Sequence, residues 1–321
     1  MGSRVLALLL VSGFAALAQD RPPVILISVD TLRADHLSAY RRGGIETPSV
    51  DAFAQGGTLF GQISAQAPLT LPSHLSLFTS TYPFENGIEE NYERLSGGLV
   101  TLAGVLRSHG YQTAAFVGSV LLDKRLGLDQ GFDFYDSPFN LQTEAAENPY
   151  GVRVRRSGAL VLRAARQWLD GHRGQPVFVF IHLFDLHTPY TAAPRPGRSG
   201  YDAQIEAVDG LLGTFRQALN QSGWWQRSLV VLLSDHGESL GEHGETTHGI
   251  FLYESTMHVP FIMAGPEVPA PGRRYICRRP NGKHGEAPNE RHRGRKRSRT
   301  PPHERPGRAN SRLQTMAARE F

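Results

Sequence analysis

Two apolar segments of the sequence run directly into side chains that can bind a metal ion. VILISV (24–29) is followed by Asp30, and SLVVLLS (228–234) is followed by Asp235 and His236. In an open parallel sheet, ligands bind at the carboxyl ends of the strands, so residues far apart in the chain can meet there. A single aspartate at a strand end is more often a helix cap, but two of them, one followed by histidine, favour a divalent metal site.

A group of histidines falls beside the same predicted strand ends, in FIHLFDLHTPY and SDHGESLGEHGETTHGIF. A single loop histidine is usually solvated, but clustering with two aspartates favours a shared role. The five histidines are His182, His187, His236, His243 and His248.

The stretch QAPLTLPSHLSLFTSTYP (66–83) has the features of a helix start. The hydroxyl residue Thr70 precedes Pro72, and proline is favoured in a first helical turn because its missing N–H needs no partner there. Free backbone N–H groups and the positive end of the helix dipole also make such a start favourable for an anion. Thr70 therefore fits either helix capping or a hydroxyl aimed at an anion-binding site.

Segments typical of strands and helices alternate between residues 23 and 272, which predicts an α/β domain with a largely parallel sheet. The strand candidates are nearly continuous apolar runs, as expected when helices cover both faces of a sheet. The predicted strands are 24–29, 58–64, 113–118, 176–184, 228–234 and 259–264. The predicted helices are 47–55, 73–80, 99–110, 152–172 and 201–223.

The N-terminal segment differs from this body in composition. Residues 1–18 carry Arg4, an apolar run and the sequence ALA (16–18), which together predict a secretory signal peptide. A retained anchor is the alternative, although the run is short for a membrane span. We therefore expect an exported protein, periplasmic or secreted, without a stable membrane span. The one cysteine, Cys277, leaves it without an intramolecular disulfide.

The C-terminal segment 273–321 is strongly basic. It holds 15 of the 34 lysine and arginine residues but 4 of the 30 aspartate and glutamate residues. Because it has no periodic apolar pattern, it predicts either a disordered tail or an out-of-frame C-terminus. A basic arm for nucleic acid or another anionic surface is a further alternative, but we expect no nucleic-acid partner for an exported protein.

Four stretches follow one another in order: PPVILISVDTLRADHLSAY, APLTLPSHLSLFTSTYP, FIHLFDLHTPY and LVVLLSDHGESLGEHG, the last continued by HGIFLYESTMHVPFIM. As a set they resemble the sulfatase family of the alkaline phosphatase superfamily, over roughly residues 22 to 270. The resemblance implies a three-layer α/β/α fold with a mostly parallel sheet, in which 19–272 form the catalytic domain. The smaller C-terminal subdomain of that family is missing, so the chain resembles a truncated or frameshifted member.

The resemblance also implies a metal site. Asp30 matches the family's first metal-binding aspartate, Asp235 with His236 matches the pair that completes the shell, and Thr70 falls on the nucleophile, which contacts the metal. This oxygen-rich set suits one divalent ion, with Ca²⁺ favoured and Mn²⁺, Mg²⁺ or Zn²⁺ as alternatives. A second metal ion, held by Asp185, His187 and His248, is a further alternative.

Thr70 as nucleophile has consequences for the reaction. In sulfatases this position carries a formylglycine, whose hydrate can expel sulfate by collapsing to an aldehyde; threonine has no such exit. A covalent Thr70 ester must be opened by attack on the central atom, which favours phosphorus over sulfur without excluding sulfate. His187 and His248 match residues that contact the transferred group, and we expect them to steady its oxygens or protonate the leaving group.

Three functions stay open at this point. The first is a metal-dependent hydrolase of a sulfate or phosphate ester, with a small molecule or glycan as substrate. The second is a phosphoryl or phosphoglycerol transferase that uses the same site, and the third is an inactive truncated product. The sequence also departs from the family pattern: Thr31 replaces a second aspartate, His74 replaces the arginine of the nucleophile motif, and 118–121 lack the usual lysine and histidine.

Overall fold

The computed structural model describes residues 21–139, 155–193, 196–266, 268 and 271–275. The strands are β1 (Val24–Val29), β2 (Gly57–Ser64), β3 (Gln112–Phe116), β4 (Phe134–Asp136), β5 (Val177–Leu183), β6 (Leu229–Leu233), β7 (His258–Ala264) and β8 (Arg273–Tyr275). They form one eight-stranded sheet in the order β4-β3-β5-β1-β6-β7-β2-β8. All six predicted strands are confirmed; β4 and β8 are additional, and each has three residues.

The predicted mostly parallel sheet is confirmed. β7 alone among the described strands runs antiparallel to its neighbours β6 and β2, whereas the other neighbouring strands pair parallel. The chain enters β7 from the edge at which β6 ends, because the connection 234–257 contains no crossover helix that would return it to the opposite edge. That connection carries several of the predicted site residues.

The described α-helices are α1 (Pro48–Gln55), α2 (Thr70–Thr79), α3 (Pro83–Asn86), α4 (Leu102–Ser108), α5 (Gly158–Gly171), α6 (Gly200–Gln221) and α7 (Glu254–Met257). Short 3₁₀ turns lie at Ala34–His36, Val120–Leu122, Lys124–Leu126 and Glu242–Gly244. The five predicted helices are all present, and their ends differ from the prediction by a few residues. Within the described residues, none of the helices combines the length and the apolar composition that a membrane crossing needs.

Helices cover both faces of the sheet, which confirms the three-layer arrangement. Ile25 and Ile27 of β1 pack in one apolar cluster with residues of α1, α5 and α6, and Leu26 packs in a second cluster with residues of α2 and α4. Alternate residues of a strand point to opposite faces, so an unbroken apolar strand fills both clusters. Each fully buried Leu, Ile or Phe side chain contributes about 1.5–3 kcal/mol to this core.

Helix α2 begins at Thr70, three residues before the predicted start. Leu69 precedes it in an extended conformation and makes no side-chain cap. Pro72 therefore lies within the first turn, where its missing N–H costs no helical hydrogen bond. The capping interpretation of Thr70 is wrong, because Leu69 holds the cap position and the Thr70 hydroxyl donates to Asp30 instead.

Strand β8 (Arg273–Tyr275) consists of the first three residues of the predicted basic tail. It pairs parallel with β2, and Tyr275 stacks on Phe60 at 5.9 Å between ring centroids. The rest of that tail, the predicted signal peptide 1–18 and the start of the predicted helix at 152–154 lie outside the described residues.

Candidate active site

The carboxyl ends of neighbouring parallel strands bring the predicted metal ligands together. β1 and β6 pair in register from Val24↔Leu229 to Ser28↔Leu233, so Asp30 and Asp235 leave the sheet side by side. Carboxylate oxygens of these two residues and a ring nitrogen of His236 all lie within 4.8 Å of one another. All three side chains are buried.

Thr70, at the first position of α2, faces this group. Its hydroxyl donates to Asp30 Oδ2 at 3.2 Å and lies 3.4 Å from His236 Nε2. The side chain is fully buried. Of the backbone amides at this helix start, that of Leu71 donates to Asn91 Oδ1 at 3.0 Å, so it is already paired.

The tautomer of His236 follows from its hydrogen bond. Nδ1 lies 2.9 Å from the carbonyl oxygen of Gly237, which can only accept, so Nδ1 carries the proton and the Nε2 lone pair faces Thr70 and Asp235. Burial and the neighbouring His248 hold the pKa of His236 well below its usual range. A neutral imidazole with a free Nε2 lone pair is the form that binds a metal ion.

The pKa values of the two buried aspartates are shifted in opposite directions. Burial and the charge of Asp30 raise the pKa of Asp235 well above its ordinary value. Burial also raises the pKa of Asp30, but the hydrogen bond with His182 and the neighbouring imidazoles lower it more, so the net direction is downward. Two carboxyl groups so close in a dry site favour one proton shared between them or a cation.

The chemistry of the donor set fits a divalent metal ion. Asp30 Oδ1 and Asp235 Oδ2 are buried oxygens without a hydrogen-bond partner. An unpaired buried carboxylate oxygen is costly, and a cation at the cluster removes that cost. Together with Thr70 Oγ1 and His236 Nε2, these oxygens provide the ligand types of a divalent cation site.

The predicted catalytic histidines lie next to this cluster. The ring centroids of His236 and His248 are 4.4 Å apart, and those of His248 and His187 are 5.1 Å apart. His248 Nδ1 is 2.9 Å from Glu238 Oε1, and His187 Nδ1 is 2.7 Å from the carbonyl oxygen of Thr188. His236 and His187 have no solvent exposure, and the side chain of His248 is 3% exposed.

His243, the remaining member of the predicted histidine group besides His182, is not part of the site. It is exposed and stacks on Tyr253 at 3.8 Å between ring centroids. The geometry also gives no support to the alternative of a second metal ion at Asp185, His187 and His248. Both carboxylate oxygens of Asp185 accept the backbone N–H of Gly158, at 3.0 and 2.7 Å, so Asp185 caps the start of α5. Neither group with metal-binding geometry among the described residues includes Asp185.

Three further residues contact the centre although their roles were not predicted. His182 Nε2 lies 3.2 Å from Asp30 Oδ2, and Glu238 holds His248. His74 is bound through both nitrogens, with Nδ1 2.7 Å from the carbonyl oxygen of Thr70 and Nε2 2.9 Å from Ser28 Oγ. Burial and the adjacent His182 lower the pKa of His74 to about 3, so this position, an arginine in sulfatases, is neutral here.

The other departures from the family pattern have structural counterparts. Thr31 adopts a left-handed backbone conformation (φ 56°), and its N–H donates to Asp235 Oδ1 at 3.3 Å. Gly118 lies against β5, where a Cβ would approach the carbonyl oxygen of His182 to 2.8 Å. Val120 and Leu121 are buried, so apolar packing occupies this segment.

The family model described as Sulfatase matches residues 22–289. Arylsulfatase D of Homo sapiens is 23% identical over 368 residues, which cover 79% of this chain and 62% of that protein. Steryl-sulfatase of Mus musculus is 26% identical over 374 residues, which cover 79% of this chain and 59% of that protein. The chain thus spans about three fifths of the length of these relatives.

Solved structures share the fold. The crystal structure of the phosphonate monoester hydrolase of Agrobacterium radiobacter matches with a TM-score of 0.63 and 23% identity, over 80% of this chain and 70% of that one. The architecture and the match to the family model define a member of the alkaline phosphatase superfamily. Within that superfamily, the chain belongs to the sulfatase family.

Proposed function

We propose that the protein is a metal-dependent hydrolase that cleaves a sulfate or phosphate ester through a covalent Thr70 intermediate. One observation carries the proposal: the buried Thr70 hydroxyl lies 3.2 Å from Asp30 Oδ2 and 3.4 Å from His236 Nε2. A hydroxyl nucleophile needs a neighbouring group that takes its proton, and Asp30 Oδ2, to which the hydroxyl already donates, can accept one.

The first half of the reaction transfers the phosphoryl or sulfuryl group to threonine. The Thr70 proton passes to Asp30 Oδ2, a bond forms between Thr70 Oγ1 and the central atom, and the bond to the leaving oxygen breaks. His248 or His187 donates a proton to that oxygen. Glu238, 2.9 Å from His248 Nδ1, orients the ring so that its other nitrogen is free for this transfer.

The second half releases the group to water. Threonine has no α-hydroxyl from which an aldehyde could form, so water attacks the central atom. The water proton passes to the histidine that protonated the leaving oxygen, and Thr70 leaves as it regains the proton held by Asp30. When bound at Asp30, Asp235, His236 and Thr70, a divalent ion would supply charge neutralisation for the ester oxygens and favour the deprotonated hydroxyl. Water attack on the central atom favours phosphorus.

The substrate class is part of the same proposal. The curated relatives are named as sulfatases of aryl and steryl esters, which supports a sulfate ester on a small molecule as one candidate. Other relatives are named for glycan sulfates, such as N-acetylglucosamine-6-O-sulfatase of Bacteroides thetaiotaomicron, 30% identical over 186 residues. The signal-like segment 1–18 supports export to a compartment where such esters are met.

The proposal is tested with chromogenic esters and three variants. Purified protein is assayed with a phosphate monoester, a phosphate diester and a sulfate ester, each with Ca²⁺, Mn²⁺ or Zn²⁺. Thr70→Ala is expected to lower turnover about 10³-fold or more, because the nucleophile is lost. Thr70→Ser keeps the hydroxyl and is the matched control, and acid-quenched wild type should carry the transferred group on a peptide containing Thr70.

Two results would contradict it. If Thr70→Ala retains turnover, Thr70 is not the nucleophile. If folded wild type turns over none of the esters with any of the three metals, the proposed hydrolase function is wrong. Thermal melting of each variant shows whether loss of turnover reflects chemistry or unfolding.

A further inference from the structure

The turn that follows strand β5 carries His187, and the side chain of Arg155 holds this turn. Nη1 of Arg155 donates to the carbonyl oxygens of His187, at 3.2 Å, and Pro189, at 3.1 Å, and Nη2 donates to that of Pro189 at 3.1 Å. The backbone of Arg155 forms a bridge with Ser119, which follows β3. Arg155 therefore ties the chain beyond the carboxyl end of β3 to the turn beyond the carboxyl end of β5.

The position of the guanidinium group is well defined. The main chain beside it is fixed, since the N–H of Arg156 donates to the carbonyl oxygen of Gly118 at 2.8 Å. A guanidinium group is a rigid planar fork, so donation to two carbonyl oxygens also fixes how those two peptide groups are turned relative to each other. Arg155 thus sets the orientation of the peptide groups in the turn 187–189.

The carbonyl group between these two receives the His187 ring. Nδ1 of His187 lies 2.7 Å from the carbonyl oxygen of Thr188. Because a carbonyl oxygen only accepts, Nδ1 carries the proton, and Nε2 is the nitrogen that can exchange a proton with an ester oxygen. Arg155 therefore holds the carbonyl groups on either side of the one that determines the tautomer of His187.

Packing alone does not determine which edge of the His187 ring faces the centre. The ring stacks on that of Phe184, with 4.5 Å between centroids and 24° between planes. The torsion about the Cβ–Cγ bond is roughly two-fold, so a stacked ring can turn over and keep this contact. The bond from Nδ1 to Thr188 distinguishes the two orientations, and it depends on where the turn directs the Thr188 carbonyl group.

We propose that Arg155 is a positioning residue of the active site, which fixes the orientation and the tautomer of His187 through the peptide groups of the turn 187–189. Nε2 is then the atom through which His187 contacts the ester, as a donor when the ring is charged and as a proton acceptor when it is neutral. The inference rests on the proposed function for the role of His187, but the tautomer can be measured without turnover.

The first test measures the tautomer directly. The purified full chain, labelled with isotopic histidine and with Zn²⁺ added, gives nitrogen–proton correlation spectra that show which ring nitrogen carries the proton when the ring is neutral. The signals of His187 are those missing from His187→Gln. Wild type is expected to hold the proton on Nδ1. In Arg155→Gln the ratio of the Nδ1–H to the Nε2–H form should fall about tenfold, as for the loss of one or two hydrogen bonds.

A second test separates positioning from a general effect on the fold. Arg155→Gln is expected to lower kcat on an alkyl ester about 10- to 100-fold through misplacement of His187. Because this effect acts through His187, the double variant Arg155→Gln/His187→Gln should be no slower than His187→Gln alone. Arg156→Gln is the matched control, since the neighbouring Arg156 pairs with Asp136 at 2.7 Å; its kcat and its His187 tautomer should equal those of wild type.

A proton on Nε2 of His187 in wild type would overturn the inference, even where the Arg155 variant fails to fold. An unchanged tautomer ratio in folded Arg155→Gln would overturn it as well, and so would a double variant whose loss of kcat is the product of the two single losses. If no ester is turned over but the tautomer depends on Arg155 as expected, the positioning role stands and the proposed hydrolase function is wrong. Ester turnover with a tautomer that does not depend on Arg155 defeats the inference alone.

Discussion

A carboxylate oxygen of Asp30 and one of Asp235 lie within 4.8 Å of each other at the buried ends of two neighbouring parallel strands. Their pKa values move apart: burial and the charge of Asp30 raise that of Asp235, while the bond with His182 and the nearby imidazoles bring that of Asp30 down despite its burial. In metal-free protein the two carboxylates repel each other, whereas both are attracted to a cation bound between them.

Asp235→Asn is therefore expected to stabilise the metal-free protein and to destabilise the loaded one. The amide keeps an oxygen for the N–H groups of Thr31 and His236, which Asp235 Oδ1 now accepts at 3.3 and 2.9 Å. Removing the repulsion should raise the melting temperature in a chelator by roughly 2–4 °C, equivalent to about 1 kcal/mol. With Zn²⁺ added, the order of wild type and variant should reverse. A variant that melts below wild type in both conditions contradicts the repulsion.

Asp185→Ala should destabilise the protein without changing its metal content. Asp185 accepts the N–H of Gly158 on both oxygens, and Ser157, which precedes the helix, makes no side-chain cap. Loss of this partly buried cap is expected to cost about 1–2 kcal/mol in the free energy of unfolding, measured with urea. Asp170→Ala, an exposed pair with Arg173 at the other end of α5, should cost about 0.5 kcal/mol or less. A fall in bound metal for Asp185→Ala would revive the second metal site.

Strand composition explains how much of this fold the sequence could predict. Six strands were evident because strands such as Leu229–Leu233 are unbroken apolar runs. Phe134–Asp136 and Arg273–Tyr275 were missed because three residues carry no period, and their pairing depends on the neighbouring strand already being in place. The reversed direction of β7 was also hidden, since direction depends on the path of the connection and not on strand composition.

The site residues likewise divide into those that the sequence predicted and those that it missed. Asp30, Thr70, Asp235 and His236 follow strands or open a helix, so rules about strand ends and helix starts found them. His182 lies within a strand, and the sequence does not say which face it occupies. Glu238 reaches His248 only because the loop between them folds back, a contact that has no sequence signal.

Acid should weaken the ion pair between Arg33 and Glu242. Arg33 Nη1 lies 2.7 Å from Glu242 Oε1. Partial burial raises the pKa of Glu242, but the bonds from Arg33 and the Leu240 N–H lower it to about 2, against 4.5 ordinarily. A lowered folded-state pKa gives stability that is complete above about pH 4.5 and is lost as the pH falls toward 2.

The difference in unfolding free energy between wild type and Glu242→Gln should therefore be constant from pH 6 to 8 and shrink below pH 4.5. Urea titrations at a series of pH values measure it. Glu254→Gln changes a carboxylate that is 96% exposed, and its difference from wild type should stay near zero throughout. A Glu242→Gln difference that does not vary with pH would remove the ion pair as its cause.

Glu238→Gln tests whether His248 protonates the leaving group. Glu238 is buried, and its Oε1 is 2.9 Å from His248 Nδ1, so the carboxylate orients the ring that is proposed to donate the proton. An alkyl ester, whose poor leaving group needs that proton, should lose about 10- to 100-fold in kcat. A nitrophenyl ester, whose leaving group departs as the anion, should change about threefold or less.

Glu245→Gln is the matched control for this comparison. Glu245 is also buried and lies in the same connection between β6 and β7, but its Oε1 accepts the N–H of Ile250, a contact with the backbone of the loop. Whatever Glu245→Gln does to the loop should affect both esters equally, because no proton transfer depends on it. If Glu238→Gln likewise lowers kcat by the same factor for both esters, Glu238 only supports the loop, and the proton comes from a group other than His248.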